Sequence, residues 1–120
     1  MPTVLVIEDE QNILMSLRLC LQRVGYRVLT SVAGAPGIEI ALKEHPDLIL
    51  LDLLLPDMHG TLVCKALKDN PTTHDIPVVV LSAYSEKPLV DAALAAGASE
   101  YLTKPFDPSA LKQVVGKYTR

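Results

Sequence analysis

Little in this 120-residue chain points to a metal-stapled, membrane-bound or nucleic-acid-binding protein. It has two cysteines, Cys20 and Cys64, and neither belongs to a C-x-x-C or to a Cys/His cluster with metal-ligand spacing, so core thiols are expected rather than a redox pair or a zinc site. The three histidines, His45, His59 and His74, have no partner three or four residues away to form a metal pair. Solvated surface is expected for them, with His59 kept in view because it follows closely on Asp52 and could approach whatever binds there. No apolar stretch approaches the roughly 20 residues of a membrane span, and the start lacks a basic flank followed by a signal-type apolar core. A cytosolic location without membrane contact is therefore expected. The net charge is -3 and the basic residues are dispersed, which leaves no electrostatic footprint for nucleic acid. Repeats, low-complexity tracts and long linkers are missing too. Residues 1–120 are expected to form one domain, large enough to bury a core without staples. These residues leave open whether that domain stands alone or belongs to a longer protein.

What the chain does have is an alternation of strand-length apolar runs with segments of helical period, the mark of βαβ units and a parallel sheet. Five such pairs can be counted. Thr3-Val4-Leu5-Val6-Ile7 is the first strand. After it, Ile13, Leu17, Cys20, Leu21 and Val24 recur at spacings of three and four, with Gly25 as a helix stop. Tyr26 to Thr30 reads as a short second strand, and a helix follows from about Pro36 to Glu44, broken by His45-Pro46-Asp47. Leu48-Ile49-Leu50-Leu51 leads into Asp52, and the loop to Gly60 precedes a helix in which Val63, Ala66 and Leu67 share a face. Val78-Val79-Val80-Leu81 runs into Ser82. A fourth helix spans roughly Glu86 to Ala96 and ends at Gly97. A short strand from Glu100 to Thr103 leads to Lys104-Pro105, and a last helix from near Pro108 to Tyr118 carries Leu111, Val114 and Val115 as its inner stripe.

The strand ends hold the chemistry. Continuous branched-aliphatic runs suit strands covered on both faces, and ligands of such sheets meet the protein at the strands' C-terminal ends. Right-handed crossovers bring those ends to one edge, so Glu8, Asp9, Asp52, Ser82 and Lys104 are expected on a common rim. Clustered carboxylates raise one another's pKa unless a cation neutralises them. Oxygen-only ligands with room for water suit Mg²⁺, and no acidic loop of the EF-hand kind favours calcium. Ser82 has no histidine placed as its base and is a poor nucleophile, but it can donate to a phosphoryl oxygen. A carboxylate nucleophile, a divalent ion, a lysine and a hydroxyl together suggest phosphoryl transfer with an aspartyl phosphate as product.

Glu8-Asp9, Asp52 followed by Pro56 and Gly60, Ser82-Ala83, and Tyr101 with Lys104-Pro105 resemble, in order and spacing, the receiver domain of two-component response regulators. The resemblance spans nearly the whole chain. It implies a flavodoxin-like (βα)5 fold, a doubly wound five-stranded parallel sheet in the order 2-1-3-4-5. It implies that Asp52 accepts a phosphoryl group from a histidine kinase or phosphotransfer protein. Asp9 and Asp52 would ligate Mg²⁺ directly, Glu8 mainly through a water, and the Leu54 backbone carbonyl would complete the protein's share. Lys104 would pair with the phosphoryl group, Ser82 and Ala83 would bind it, and Tyr101 would rotate inward to change the face formed by the fourth helix, fifth strand and fifth helix. The partners implied are that donor and an output partner or attached effector domain, with a phosphorylation-dependent homodimer left open. The protein would promote its own phosphorylation and dephosphorylation rather than turn over a separate substrate. A cis bond at Lys104-Pro105 is also expected.

Leu54 and Tyr84 depart from the commoner polar choices, and as bulky groups beside the path of an attacking water they are expected to slow loss of phosphate. A haloacid dehalogenase-type phosphatase would need a second aspartate where Leu54 stands. A flavin binder of the same fold would offer hydroxyls and glycine to phosphate where Glu8-Asp9 repel it. The rival that keeps all the residues is a docking module that works without phosphorylation.

Overall fold

The branched-aliphatic runs form a five-stranded parallel sheet in the computed structural model, which describes residues 1–119. Its strands are β1 (Thr3–Ile7), β2 (Arg27–Ser31), β3 (Leu48–Asp52), β4 (Val78–Ser82) and β5 (Glu100–Thr103), and their spatial order is 2-1-3-4-5. Helices α1 (Gln11–Arg23), α2 (Gly34–Glu44), α3 (Gly60–Asp69), α4 (Lys87–Ala95) and α5 (Pro108–Tyr118) alternate with them. This is the doubly wound, flavodoxin-like arrangement. No helix among the described residues is long and apolar enough to cross a membrane.

The pleat explains why the strands have no polar alternation. In β1, Leu5 and Ile7 face a core shared with Ala41 of α2 and Val63, Cys64 and Leu67 of α3, while Val4 and Val6 face one shared with Leu14, Leu17 and Leu21 of α1 and Leu111 and Val115 of α5. β3 splits in the same way, Ile49 and Leu51 to one side and Leu48 and Leu50 to the other. Side chains alternate with period two, so a strand covered on both faces must be apolar at every position.

The helical stripes follow the expected period but are rotated in two places. On α1 the buried residues are Leu14, Leu17 and Leu21, whereas Ile13 and Cys20 are half-buried and Val24, the C-cap, is exposed. On α3 the buried face is Gly60, Val63, Cys64 and Leu67, and Ala66 points to solvent. Cys64 is therefore a core thiol, while Cys20 lies at the core margin; both are free. The last helix buries Leu111, Val114 and Val115, as its period predicts. Three boundaries shift: β2 is Arg27–Ser31, α4 is Lys87–Ala95, and α2 begins at Gly34, two residues before Pro36.

The early start of α2 has a physical cause. Its N-cap, Ala33, has no side chain to bond the first-turn amides, yet two of them are satisfied from elsewhere in the chain: Asp57 Oδ1 accepts from the Gly34 N–H at 2.7 Å and Asp57 Oδ2 from the Ala35 N–H at 2.8 Å.

Candidate functional site

Order 2-1-3-4-5 makes β1 the point where the chain reverses its direction of growth, since β2 lies on one side of it and β3 on the other. In such sheets a crevice opens at that point. Ile7 pairs with Leu51, so Glu8 and Asp9 leave β1 beside the Asp52 end of β3. One carboxylate oxygen from each of Glu8, Asp9 and Asp52 lies within 4.8 Å of the others. Glu8 is 2% exposed, the Asp52 side chain 12%, and Asp9 stands open to solvent. Lys104 reaches in from the end of β5, its Nζ 2.5 Å from Glu8 Oε1 and 3.6 Å from Asp52 Oδ1. Its backbone N–H donates to the Ser82 carbonyl at 2.7 Å, and the Lys104–Pro105 bond is cis, as the sequence predicts.

One ammonium facing three carboxylates leaves negative charge in surplus. Burial, with the charge of Glu8 and a hydrogen bond to it, pushes the Asp52 carboxyl up to about 7; Lys104 and the Leu53 backbone pull only partly the other way. The donor set is all oxygen, its charge is incompletely balanced, and Asp9 opens it to water. These are the requirements of a hard divalent cation that retains part of its hydration shell, so the residues present fit the Mg²⁺ expected here.

Ser82 is buried at the end of β4, opposite Thr103 of β5. Its hydroxyl accepts the Tyr84 N–H at 3.1 Å, so in this conformation it serves its own turn rather than the carboxylates. Ala83 is exposed and, with Lys104, lines the mouth of an apolar groove of about 520 Å³ between α1 and the Pro105–Leu111 segment. Tyr101 lies apart from the acidic cluster. It is half-buried, packed against the α2–α4 side of the sheet, and its hydroxyl donates to the Tyr84 carbonyl.

The β3–α3 connection is tightly held. Gly60 N–H donates to the Leu53 carbonyl at 2.6 Å, and Leu54 bridges antiparallel to His59. A Cβ on Gly60 would stand 2.5 Å from the Asp52 carbonyl oxygen and 2.7 Å from Leu53 Cα, which makes glycine obligatory there. Leu54 and Tyr84 are both exposed, at 49% and 44%. His59 does not join the carboxylates. Its Nδ1 accepts the Thr61 N–H and caps α3. His45 and His74 are surface residues, the former 3.4 Å from Asp75. Sequence reasoning passed over Asp57, whose carboxylate ties this loop to α2. Nothing local marked it, because the helix it caps lies 22 and 23 residues away and begins at Gly34, two residues before the start that Pro36 suggests.

A family model described as "Response regulator receiver domain" matches residues 4–116. Response regulator ArlR of Staphylococcus saprophyticus is 40% identical over 89% of this chain and 47% of its own length. The chain spans about half, or less, of the first curated relatives it matches. Among solved structures, chemotaxis protein CheY4 of Vibrio cholerae superposes with a TM-score of 0.93 at 28% identity, covering 98% of each chain. The receiver domain of Klebsiella pneumoniae RstA, solved in a BeF3-activated form, has a TM-score of 0.91 at 25% identity, again covering 98% of each.

Proposed function

The chain belongs to the response regulator receiver domain family, and on that premise we propose that it is a phosphorylation-dependent switch whose Asp52 takes a phosphoryl group from a phosphohistidine donor. The observation that carries this reading is the convergence of Glu8, Asp9 and Asp52 within 4.8 Å, with Lys104 3.6 Å from Asp52, at the open end of the sheet. The BeF3-activated form of the RstA receiver adds support, being a related domain in an activated state.

An Asp52 carboxylate oxygen attacks phosphorus as the bond from phosphorus to the donor imidazole nitrogen breaks. The electron pair of that bond leaves with the nitrogen, which gains a proton from solvent, and an aspartyl phosphate remains. The attacking form is the carboxylate, and the surplus negative charge around Asp52 opposes both its ionisation and the approach of a phosphoryl dianion. Mg²⁺ held by Asp9 and Asp52, with Glu8 acting through a water and the Leu54 carbonyl as backbone ligand, would supply the positive charge that relieves both. Lys104 contributes a second cation. It is paired with Glu8 before transfer, 2.5 Å away, and exchanges that partner for a phosphoryl oxygen afterwards. Ser82 and the backbone at Ala83 lie on the same rim, and donation by the Ser82 hydroxyl to the product requires it to release the Tyr84 amide.

Release of that amide would free Tyr84, whose carbonyl holds the Tyr101 hydroxyl, so Tyr101 would turn inward and alter the face of α4, β5 and α5. That face addresses an output partner or an attached effector domain. The donor, a histidine kinase or phosphotransfer protein, would bring its phosphohistidine to the mouth of the apolar groove beside Lys104 and Ala83. The direct test is incubation with Mg²⁺ and a small acyl phosphate, followed by intact-mass measurement of the parent beside Asp52→Asn. The parent should gain one phosphoryl group and the variant none. A parent that stays unlabelled under conditions that label other receivers would move the protein to the phosphorylation-independent docking class.

A further inference from the structure

The Asp57 carboxylate lies five residues beyond the acceptor and does no work inside the acidic cluster. It binds instead the first two amides of α2, Gly34 N–H at 2.7 Å and Ala35 N–H at 2.8 Å, across 23 and 22 residues of chain. Three features make this more than an ordinary cap. The helix has no local alternative, because Ala33 occupies its N-cap. The contact is reinforced beside it, where Met58 packs so closely on Gly34 that a Cβ there would meet Met58 Cγ at 2.6 Å. The loop that carries Asp57 is also closed on the acceptor strand, by Gly60 N–H to the Leu53 carbonyl and by the Leu54–His59 bridge. Asp57 is thus the point at which a short loop, pinned at its base to β3, is pinned at its tip to a second element.

We propose that Asp57 is a positioning residue for the phosphoacceptor site: by tying the tip of the β3–α3 loop to the N-terminus of α2 it holds the Leu54 backbone, and the end of β3 with it, in the geometry that binds the divalent cation. This rests on the phosphoacceptor reading above. The tie is an anion on two amide donors at a helix N-terminus, the end that favours negative charge. Those amides hold the Asp57 carboxyl below its usual range, Ala35 first and Gly34 next, so the tie stays charged at neutral pH. Groups that orient a metal's ligands without touching the metal characteristically change its affinity by tenfold or more.

A helix cap and a loop anchor can be separated by moving the cap. In Asp57→Ala both are lost; in Ala33→Ser/Asp57→Ala a serine at the N-cap restores capping to α2 without restoring the tie to the loop. Three quantities decide: the thermal midpoint, the hydrogen-exchange rate of the Gly60 amide in metal-free protein, and the Mg²⁺ dissociation constant by calorimetric titration. Asp57→Ala should exchange the Gly60 amide faster and bind Mg²⁺ roughly tenfold more weakly. The double variant should regain thermal midpoint while keeping both defects. Asp57→Asn retains one acceptor oxygen, should lie between parent and alanine variant, and serves if the latter does not fold. Unchanged exchange and Mg²⁺ affinity in the single variants, or recovery of both by Ala33→Ser, would overturn the proposal and leave Asp57 a helix cap. A parent that neither binds Mg²⁺ nor accepts phosphate would instead sink the phosphoacceptor reading, and the exchange rates would still decide whether Asp57 anchors the loop.

Discussion

The connections after β3 and after β4 leave the same edge of the sheet, directly follow Asp52 and Ser82, and are built in opposite ways. The β3–α3 loop is closed on itself at Gly60 and Leu54, tied to α2 by Asp57, and runs into a helix capped by His59 with Val63, Cys64 and Leu67 buried. The β4–α4 segment is exposed from Ala83 to Pro88, and the Tyr84 backbone is held by two bonds, its N–H donating to the Ser82 hydroxyl and its carbonyl accepting from the Tyr101 hydroxyl. Glu86 makes no capping bond to α4, which buries only Ala93. Segments with few buried contacts open at low free-energy cost, whereas those bound into a core open only with the whole domain. The difference suits the proposed function, in which the chemistry needs an acceptor that stays where it is and signalling needs a neighbour that can move.

The largest break in this contrast should come from Gly60→Val. The clash is with the backbone of Asp52 and Leu53, which cannot swing aside as a flexible side chain would. A loss on the order of 3 kcal/mol is expected in denaturant unfolding. Tyr84→Ala, on the looser side, should stay within about 0.5 kcal/mol of the parent.

Asp52 supplies the next test. Its folded-state pKa, about 7, lies above its ordinary value of 3.8, so folding favours the protonated form. The associated stability is present below about pH 4 and is lost as pH rises towards 7. Asp57, Glu100 and Asp107 are held below their ordinary values, so their contributions stay in place until the pH falls beneath the usual carboxylate range. Metal-free parent should therefore weaken from about pH 4 to pH 7, by something on the order of 2 kcal/mol, and Asp52→Asn should remove most of that slope. Thermal melts across this range, with and without millimolar Mg²⁺, check it. Added Mg²⁺ should flatten the parent's slope and leave the variant's unchanged.

Leu54 and Tyr84, expected to slow loss of phosphate, come from the two contrasting loops and are both exposed. The double variant Leu54→Asn/Tyr84→Glu should lose phosphate several-fold faster than the parent, followed by intact mass after removal of the acyl phosphate. An unchanged decay would show that these side chains do not screen the phosphoryl group from water. The smallest effect is expected at the start of α4. Glu86→Ser supplies the missing cap and should slow hydrogen exchange along α4 while raising global stability by less than about 1 kcal/mol. If exchange in α4 is already as slow as in α3, the contrast between the two loops fails.

Much of this was legible in order and period. All ten elements were read from apolar runs, helical spacing and Pro/Gly punctuation, and Glu8, Asp9, Asp52 and Lys104 meet as expected. The rotation of α1 and α3 was less legible. Leu14 is buried where Ile13 was expected, and Ala66 turns to solvent while Cys64, expected as a core thiol, faces inward, because neighbouring apolar residues on a helix satisfy the same period and only the packed partner decides which of them turns inward. The role of His59 was illegible for a related reason: nearness in sequence to Asp52 gave no information on ring direction, and the ring is used on Thr61.

From the residues in order, the uninterrupted apolar strands require a sheet covered on both faces, and parallel crossovers require their ends to share an edge; that much follows from local chemistry and the handedness of the chain. Which strands become neighbours does not. The placement of β1 between β2 and β3, which puts a buried Asp52 against Glu8, the rise in the Asp52 pKa that burial and then Glu8 cause, and the reach of Asp57 to a helix more than twenty residues away are products of packing, because burial, surplus charge and a borrowed helix cap exist only once distant segments lie side by side.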